Sequence, residues 1–224
     1  RTRLKQLNDD LTLQVSTYER NIADDQRSIK ISSAAELDGL PQDYIDRHKP
    51  GADGKITITT DYPDVFPVLK FGKSTSLRQR LYEQFDDRAY PKNRDLLMKM
   101  MQTRYEIATL LAYSSWADYY AADKMAVNGQ NIANFIRDLD TATRPLADRE
   151  FALLLTEKRK SEPDAKQIWE YESGYLREQL RRAALHAVAL DEGLVGWRVD
   201  GLEVSPATEL THELLRGQAA EFVF

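Results

Sequence analysis

Asn93–Ala126, NRDLLMKMMQTRYEIATLLAYSSWADYYAADKMA, reads as two helices separated by a short break. Leu97, Met100, Met101, Ala108 and Leu111 recur at spacings that gather them on one helical face. Ser115 stands where a hydroxyl can accept a first-turn N–H and so cap a short helix carrying Trp116 and Tyr119. This stretch fixes the expectation for the whole chain: an all-α fold of long antiparallel helices.

Outward from it the helical period continues. SLRQRLYEQFDDRAY puts Leu77, Leu81 and Phe85 on one face. After Asn128-Gly129 a further helix carries Ile132, Phe135, Ile136 and Leu139, with Pro145 expected to kink it. Pro163, in Glu162-Pro163-Asp164, is placed to open a last strong helix lined by Ile168, Trp169, Tyr175, Leu176 and Leu180. At the other end, Leu4, Leu7, Leu11, Val15, Tyr18, Ile22 and Ile29 make one apolar seam, which predicts a single long helix over residues 1–30. Ser33, with Glu36 three residues on, has capping-box spacing for a short helix.

The β signal is confined. KITITT (55–60) alternates with period two, and VFPVLKF (65–71) is the best partner for a short ribbon, with Pro63 and Pro67 restricting it to an edge. A second hairpin signal, Asp200-Gly201 flanked by Trp197, Val199, Leu202 and Val204, lies in a tail that changes character at about His186. The end of that tail, from Ser205, reads as a capped short helix. The expected division is therefore a helical scaffold over 1–185 and a separate tail over 186–224. No repeat or low-complexity segment is present.

Composition bounds the function. The 224 residues suffice for one large domain or two small ones. Apolar residues are 42% and charged residues 30%, a balance that suits long helices with wide solvated faces. Net charge is −5, with 31 basic and 36 acidic residues interspersed, so neither nucleic acid nor an anionic membrane is an expected partner. No apolar run approaches the ~18 residues of a membrane span. With no cysteine, disulfides, thiolate metal sites and a Cys nucleophile are excluded. The first residues, RTRLKQLNDD, carry no apolar signal core and no initiator Met, which reads as a fragment or a processed product. The expected compartment is the cytoplasm, with periplasm and secretion left open.

Eight segments in order resemble the thimet oligopeptidase family of zinc metallopeptidases, which includes oligopeptidase A and the bacterial peptidyl-dipeptidases. They are Glu36–Pro41; Tyr62-Pro63 with Leu69, resembling the strand before a large helix; Leu81-Tyr82 with Arg88 and Asn93; Arg104, Glu106, Ala108, Leu110 and Leu111; Trp116–Tyr119; Lys124-Met125-Ala126; Arg144-Pro145; and Trp169 to Tyr175. The resemblance runs from about Leu7 to Arg182 and stops at the tail. It implies a helical wall of a deep channel in an enzyme that cuts short peptides with a zinc-activated water. It also implies that the zinc ligands, the general-base Glu and the transition-state His and Tyr lie outside this chain, so no catalytic or cofactor-binding residue and no metal ligand is assigned here.

The residues agree on that last point. A zincin helix needs two His four residues apart around a Glu. His212-Glu213-Leu214-Leu215-Arg216 offers one, and Arg216, always cationic, cannot be the second. A site from His186, His212 and Glu209 or Glu221 matches no ligand spacing. His48 is the third histidine. The acidic pairs Asp9-Asp10, Asp24-Asp25 and Asp86-Asp87 point about 100° apart on a helix and read as solvated faces. Gly51-Ala52-Asp53-Gly54 reads as a turn and not a phosphate loop. Tyr113, Trp116, Tyr119 and Tyr120 read as core, or alternatively as channel wall. Glu157-Lys158-Arg159-Lys160 reads as a helix end. Zinc is thus implied but not expected to bind here. The expected partners are short peptides and the missing catalytic part of the fold. The competing reading is a non-catalytic helical module that binds a peptide or protein, and an enzyme with a carboxylate-based site is a weaker third.

Overall fold

The computed structural model describes residues 1–191 and the two short strands Arg198–Val199 and Leu202–Glu203. Among the described residues the architecture is mostly α: eight helices and two small antiparallel ribbons.

α1 (Thr2–Asp24) pairs along its length with α5 (Lys92–Leu110). The predicted seam holds through Ile22, with Leu7 buried and Leu4, Leu11, Val15, Tyr18 and Ile22 half-buried. Polar side chains set the pairing. Asn21 donates to Asn93 (2.7 Å), Asn93 donates to the Tyr18 carbonyl (2.9 Å), Gln14 donates to Thr103 (3.1 Å), and Arg3 pairs with Glu106 (2.7 Å). On α5 the buried positions are Asn93, Met100, Thr103, Ile107 and Ala108, whereas Leu97 and Met101 are exposed. The apolar face expected there is therefore split, with one part turned away from α1.

The helix predicted over 1–30 ends at Asp24, and Ile29 belongs to strand β1 (Ser28–Ile31). β1 pairs with β2 (Ile56–Thr59), placing Ile29 opposite Ile58 and Ile31 opposite Ile56. The alternation read in KITITT is real, since Ile56 and Ile58 are buried and Thr57 is exposed. Its partner is not residues 65–71, however. Those lie in helix α3 (Tyr62–Phe71), which also replaces the strand that Tyr62-Pro63 resembled. A short unbroken apolar run does not distinguish strand from helix, and two local features decide for helix. Pro63 occupies the first turn, where a missing N–H costs nothing. The Asp64 carboxylate folds back to accept the N–H (3.1 Å) and hydroxyl (2.7 Å) of Thr59. Val65 and Val68 then face one side at helical spacing, both fully buried.

That side is the core. Ile31, Leu37, Leu40, Tyr44, Ile56, Ile58, Val65, Val68, Leu77 and Leu81 form one cluster between the ribbon, the 3-10 turn Ala34–Leu37, α2 (Gln42–Arg47), α3 and α4 (Thr75–Asp86). Ser33 caps the turn by accepting the Ala35 N–H, while Glu36, instead of closing the box, pairs with Arg80 of α4. Gly39, at φ +89°, packs so closely on the Phe71 carbonyl that a Cβ would sit 2.5 Å from it.

α6 (Trp116–Ala121) starts at Ser115, whose hydroxyl accepts the Asp118 N–H, and α7 (Gly129–Arg159) starts at Asn128, which accepts the Asn131 N–H. α7 continues through Pro145. α8 (Glu170–Asp191) does not begin at Pro163: it begins seven residues later, where the Glu172 carboxylate accepts the Trp169 N–H (2.8 Å). α8 packs on α3, α4 and α7. Buried Arg78 joins α4 to it, lying 4.2 Å over the Tyr175 ring. β3 (Arg198–Val199) pairs with β4 (Leu202–Glu203), Val199 opposite Leu202, as the Asp200-Gly201 signal predicts. The expected helix after Ser205 lies outside the described residues.

Candidate functional site

The aromatic residues at and just before α6 form a surface and not a core. Tyr113 and Tyr120 are exposed, and Trp116 and Tyr119 are half-buried beside them. The rings pack as a surface cluster: Tyr113 on Tyr119 (5.5 Å), Trp116 on Tyr119 (5.3 Å) and Trp116 on Tyr120 (6.2 Å). Two cations lie against it. Lys124 sits 4.2 Å from the Tyr120 ring centre and donates to the Tyr120 carbonyl (2.7 Å), and Arg104 sits 5.7 Å from the Trp116 ring. The Arg104 Nε is buried and has no hydrogen-bond partner among the described residues.

The local sequence explains why the cluster stands outward. α5 ends at Leu110, and Ala112 turns the chain at φ 63°. The Asp118 carboxylate accepts from the hydroxyls of Ser114 (2.7 Å) and Ser115 (2.8 Å) and from the Gly129 N–H (2.8 Å), tying α6 to the first residue of α7. Those bonds, the Ser114 hydroxyl first, hold its carboxyl below the usual range. Gly129 packs closely at the contact: a Cβ would meet the Ala117 methyl at 3.0 Å and the Asp118 carboxylate at 3.2 Å. Between the two helices Met125 is fully exposed and Val127 adopts φ 67°, a conformation unusual for a β-branched residue. Such a surface can hold apolar side chains on its ring faces and anionic groups beside its cations.

The remaining sequence candidates disperse into structural roles. His48 stacks on Tyr44 (4.1 Å), with Nδ1 2.8 Å from the Tyr44 carbonyl and Nε2 3.2 Å from the Asp64 carboxylate. Burial pushes the Asp64 carboxyl up, but the Thr59 hydroxyl and N–H together with His48 outweigh it and leave it below the usual range. His186 lies in α8 with its side chain outside the described residues, as are His212, Glu209 and Glu221. Asp9 pairs with Lys5, and Asp25 accepts from Arg27 and from the Ala89 N–H (2.7 Å). Asp24 and Asp86 end their helices, and Asp87 caps α4. Gly51–Gly54 is the turn into β2, with Asp53 paired to Lys30. Among the described residues no three His, Asp or Glu side chains converge. The described residues therefore do not fit zinc.

Two features escaped the sequence reading. Lys158 stands in the last turn of α7, the helix end its sequence predicts, and beyond that reading it is buried and bonded to buried Glu172 (2.6 Å), fixing the end of α7 to the start of α8. Glu178, also buried, receives Arg181 (2.7 Å), Arg182 (2.8 Å) and Lys70 (3.7 Å), with the Arg181 guanidinium foremost in holding its carboxyl at about 2. Lys158 and Glu172, 14 residues apart across a non-helical link, leave no periodic signal, whereas Arg181 and Arg182 stand three and four residues after Glu178, a helical spacing present in the sequence.

Saccharolysin of Saccharomyces cerevisiae is 27% identical over 194 residues, covering 80% of this chain and 27% of the relative. Oligopeptidase A of Salmonella typhimurium is 29% identical over 136 residues, 55% of this chain and 20% of the relative. A probable thimet oligopeptidase of Arabidopsis thaliana is 27% identical over 160 residues, 71% and 22%. The chain thus spans about a quarter of the length of these relatives. No helix among the described residues is long and apolar enough to cross a membrane. The model of peptidase family M3 matches residues 68–194, more than half of the sequence, taking in α4 to α8 and the aromatic surface between them: the chain belongs to that family.

Proposed function

We propose that this chain is the scaffold portion of a zinc-dependent oligopeptidase that hydrolyses short peptides. The α5–α6 aromatic surface would supply part of the substrate-channel wall, and the zinc site would lie in polypeptide beyond these residues. In this reading residues 1–185 are the scaffold and 186–224 a tail of separate assignment. The observation that carries it is the family match over residues 68–194 in a chain that spans about a quarter of its relatives and has no His-Glu-x-x-His. The exposure of Tyr113 and Tyr120 supports the wall, since core aromatics would be covered.

The test is cleavage of a short unstructured peptide, with zinc and with a chelator, by this chain and by the chain carrying its adjoining coding sequence. The expected result is chelator-sensitive cleavage by the longer protein only. Cleavage by this chain alone would overturn the assignment of catalysis elsewhere. Peptide binding without cleavage in both would favour the non-catalytic module, a reading that the same exposed rings also allow. If the rings line the channel, Trp116→Ala in the longer protein raises KM for peptide more than it lowers kcat.

A further inference from the structure

Among the described residues α7 is anchored near its ends, by Asp118 at Gly129 and by Glu172 at Lys158. Every residue from 135 to 152 is exposed. The exposed stretch is nevertheless amphipathic. At 100° per residue, Ile132, Phe135, Ile136, Leu139, Ala142, Thr143 and Leu146 fall within an arc of roughly 120°. Arg137, Asp138, Asp140, Arg144 and Asp148 lie outside it. Pro145 also lies on the charged side, where the backbone hydrogen bond that its ring forfeits faces water.

An arc this wide is the signature of a helix facing a globular core, whereas a two-stranded coiled coil presents a narrower seam. Phe135 is 67%, Ile136 59%, Leu139 52% and Leu146 52% exposed. Covering them would bury on the order of 400 Å² per copy, short of the ~600 Å² per partner that the smallest stable interface needs. A second copy is therefore a poor occupant. A covalently joined layer docks at an effective concentration of about millimolar and needs no such area. The relatives supply such a layer in principle, because this chain spans only about a quarter of their length.

We infer that Ile132–Leu146 of α7 is one half of a second hydrophobic core, completed by an apolar-faced layer of the same polypeptide beyond residues 1–224. This rests on the reading of the chain as part of a longer peptidase. The test is amide hydrogen exchange on this chain and on the chain with its adjoining coding sequence, alongside the double variant Ile136→Glu/Leu139→Glu. In this chain alone the 135–146 amides should exchange fast, and the variant should leave the Tm within about 1 °C. In the longer protein protection of those amides should rise by roughly two orders of magnitude, and the variant should lower the Tm by several degrees.

Four outcomes overturn the inference: a dimer of this chain at micromolar concentration that the variant dissociates, a lowered Tm for the variant in this chain alone, unprotected α7 amides in the longer protein, or a reading frame that contributes no further polypeptide. Peptide cleavage by the longer protein is scored separately. Cleavage with unprotected α7 sinks this inference and spares the peptidase reading, and protection without cleavage does the reverse.

Discussion

Leu77 and Leu81 of α4 and Ile136 and Leu139 of α7 are alike in size, apolarity and helical spacing, yet the first pair is fully buried and the second more than half exposed. The difference lies in the neighbours. α4 meets a ribbon, a 3-10 turn and two helices whose own apolar positions complete its face. The middle of α7 meets no such set among the described residues, and the helix is held at its two ends by Asp118 and Lys158. An apolar stripe therefore states a demand for a partner; it does not show that the partner is present. The contrast also separates two kinds of stabilisation, shape-filling in the core and, at the joints of the arm, a carboxylate–amide bond at Gly129 and an ion pair at Lys158.

The sharpest way to break this contrast is at the anchored end of the arm. Lys158→Ala leaves Glu172 buried without its cation and should cost about 3–5 kcal/mol in urea unfolding. A loss below about 1 kcal/mol would mean that the clamp is not what holds α7 to α8. Leu81→Ala should cost about 2–5 kcal/mol by the same measurement, through lost burial and a cavity in the ribbon core. Glu178 is next. Its folded-state pKa of about 2 lies below the ordinary value of 4.5. The stability it contributes is therefore present above pH 4.5 and lost as the pH falls through about 2. Over that window Glu178→Gln should flatten the acid limb of a stability–pH curve by up to roughly 2 kcal/mol. Ser115→Ala removes the cap of α6 and should cost about 1 kcal/mol. Leu139→Ala, on the uncovered face, should change the stability of this chain by less than about 0.5 kcal/mol. A cost near that of Leu81→Ala would erase the distinction between the two regions.

Much of the molecule was legible before any coordinates. Helical period located α1, α4, α5 and α7, because side chains that share a face must recur every three or four residues. The caps at Ser33 and Ser115 were legible because capping is local chemistry: a side-chain oxygen meets an N–H two or three residues on. Asn128, read only as a break in the chain, caps α7 by the same chemistry. The ordered family segments were legible too, and the family match over 68–194 agrees with those from Leu81 to Tyr175. What failed was every reading that needed a distant partner. β2 was recognised but given the wrong neighbour, since β1 lies some 25 residues upstream and contributes only one beat, Ile29, to an apparent helical seam. α3 was read as a strand because the Thr59–Asp64 bonds that start it are invisible in an apolar run. The start of α8 was misplaced because a buried carboxylate, not Pro163, sets it.

By itself, then, the amino-acid sequence determined the helical class, the caps and the family, all of which depend on residues near one another or on their order. Only the tertiary structure decided which apolar faces are covered, which charges are buried in pairs, and that the α6 rings stand outward. Those are properties of contacts between segments far apart in the chain, and no local pattern encodes the distance that folding closes.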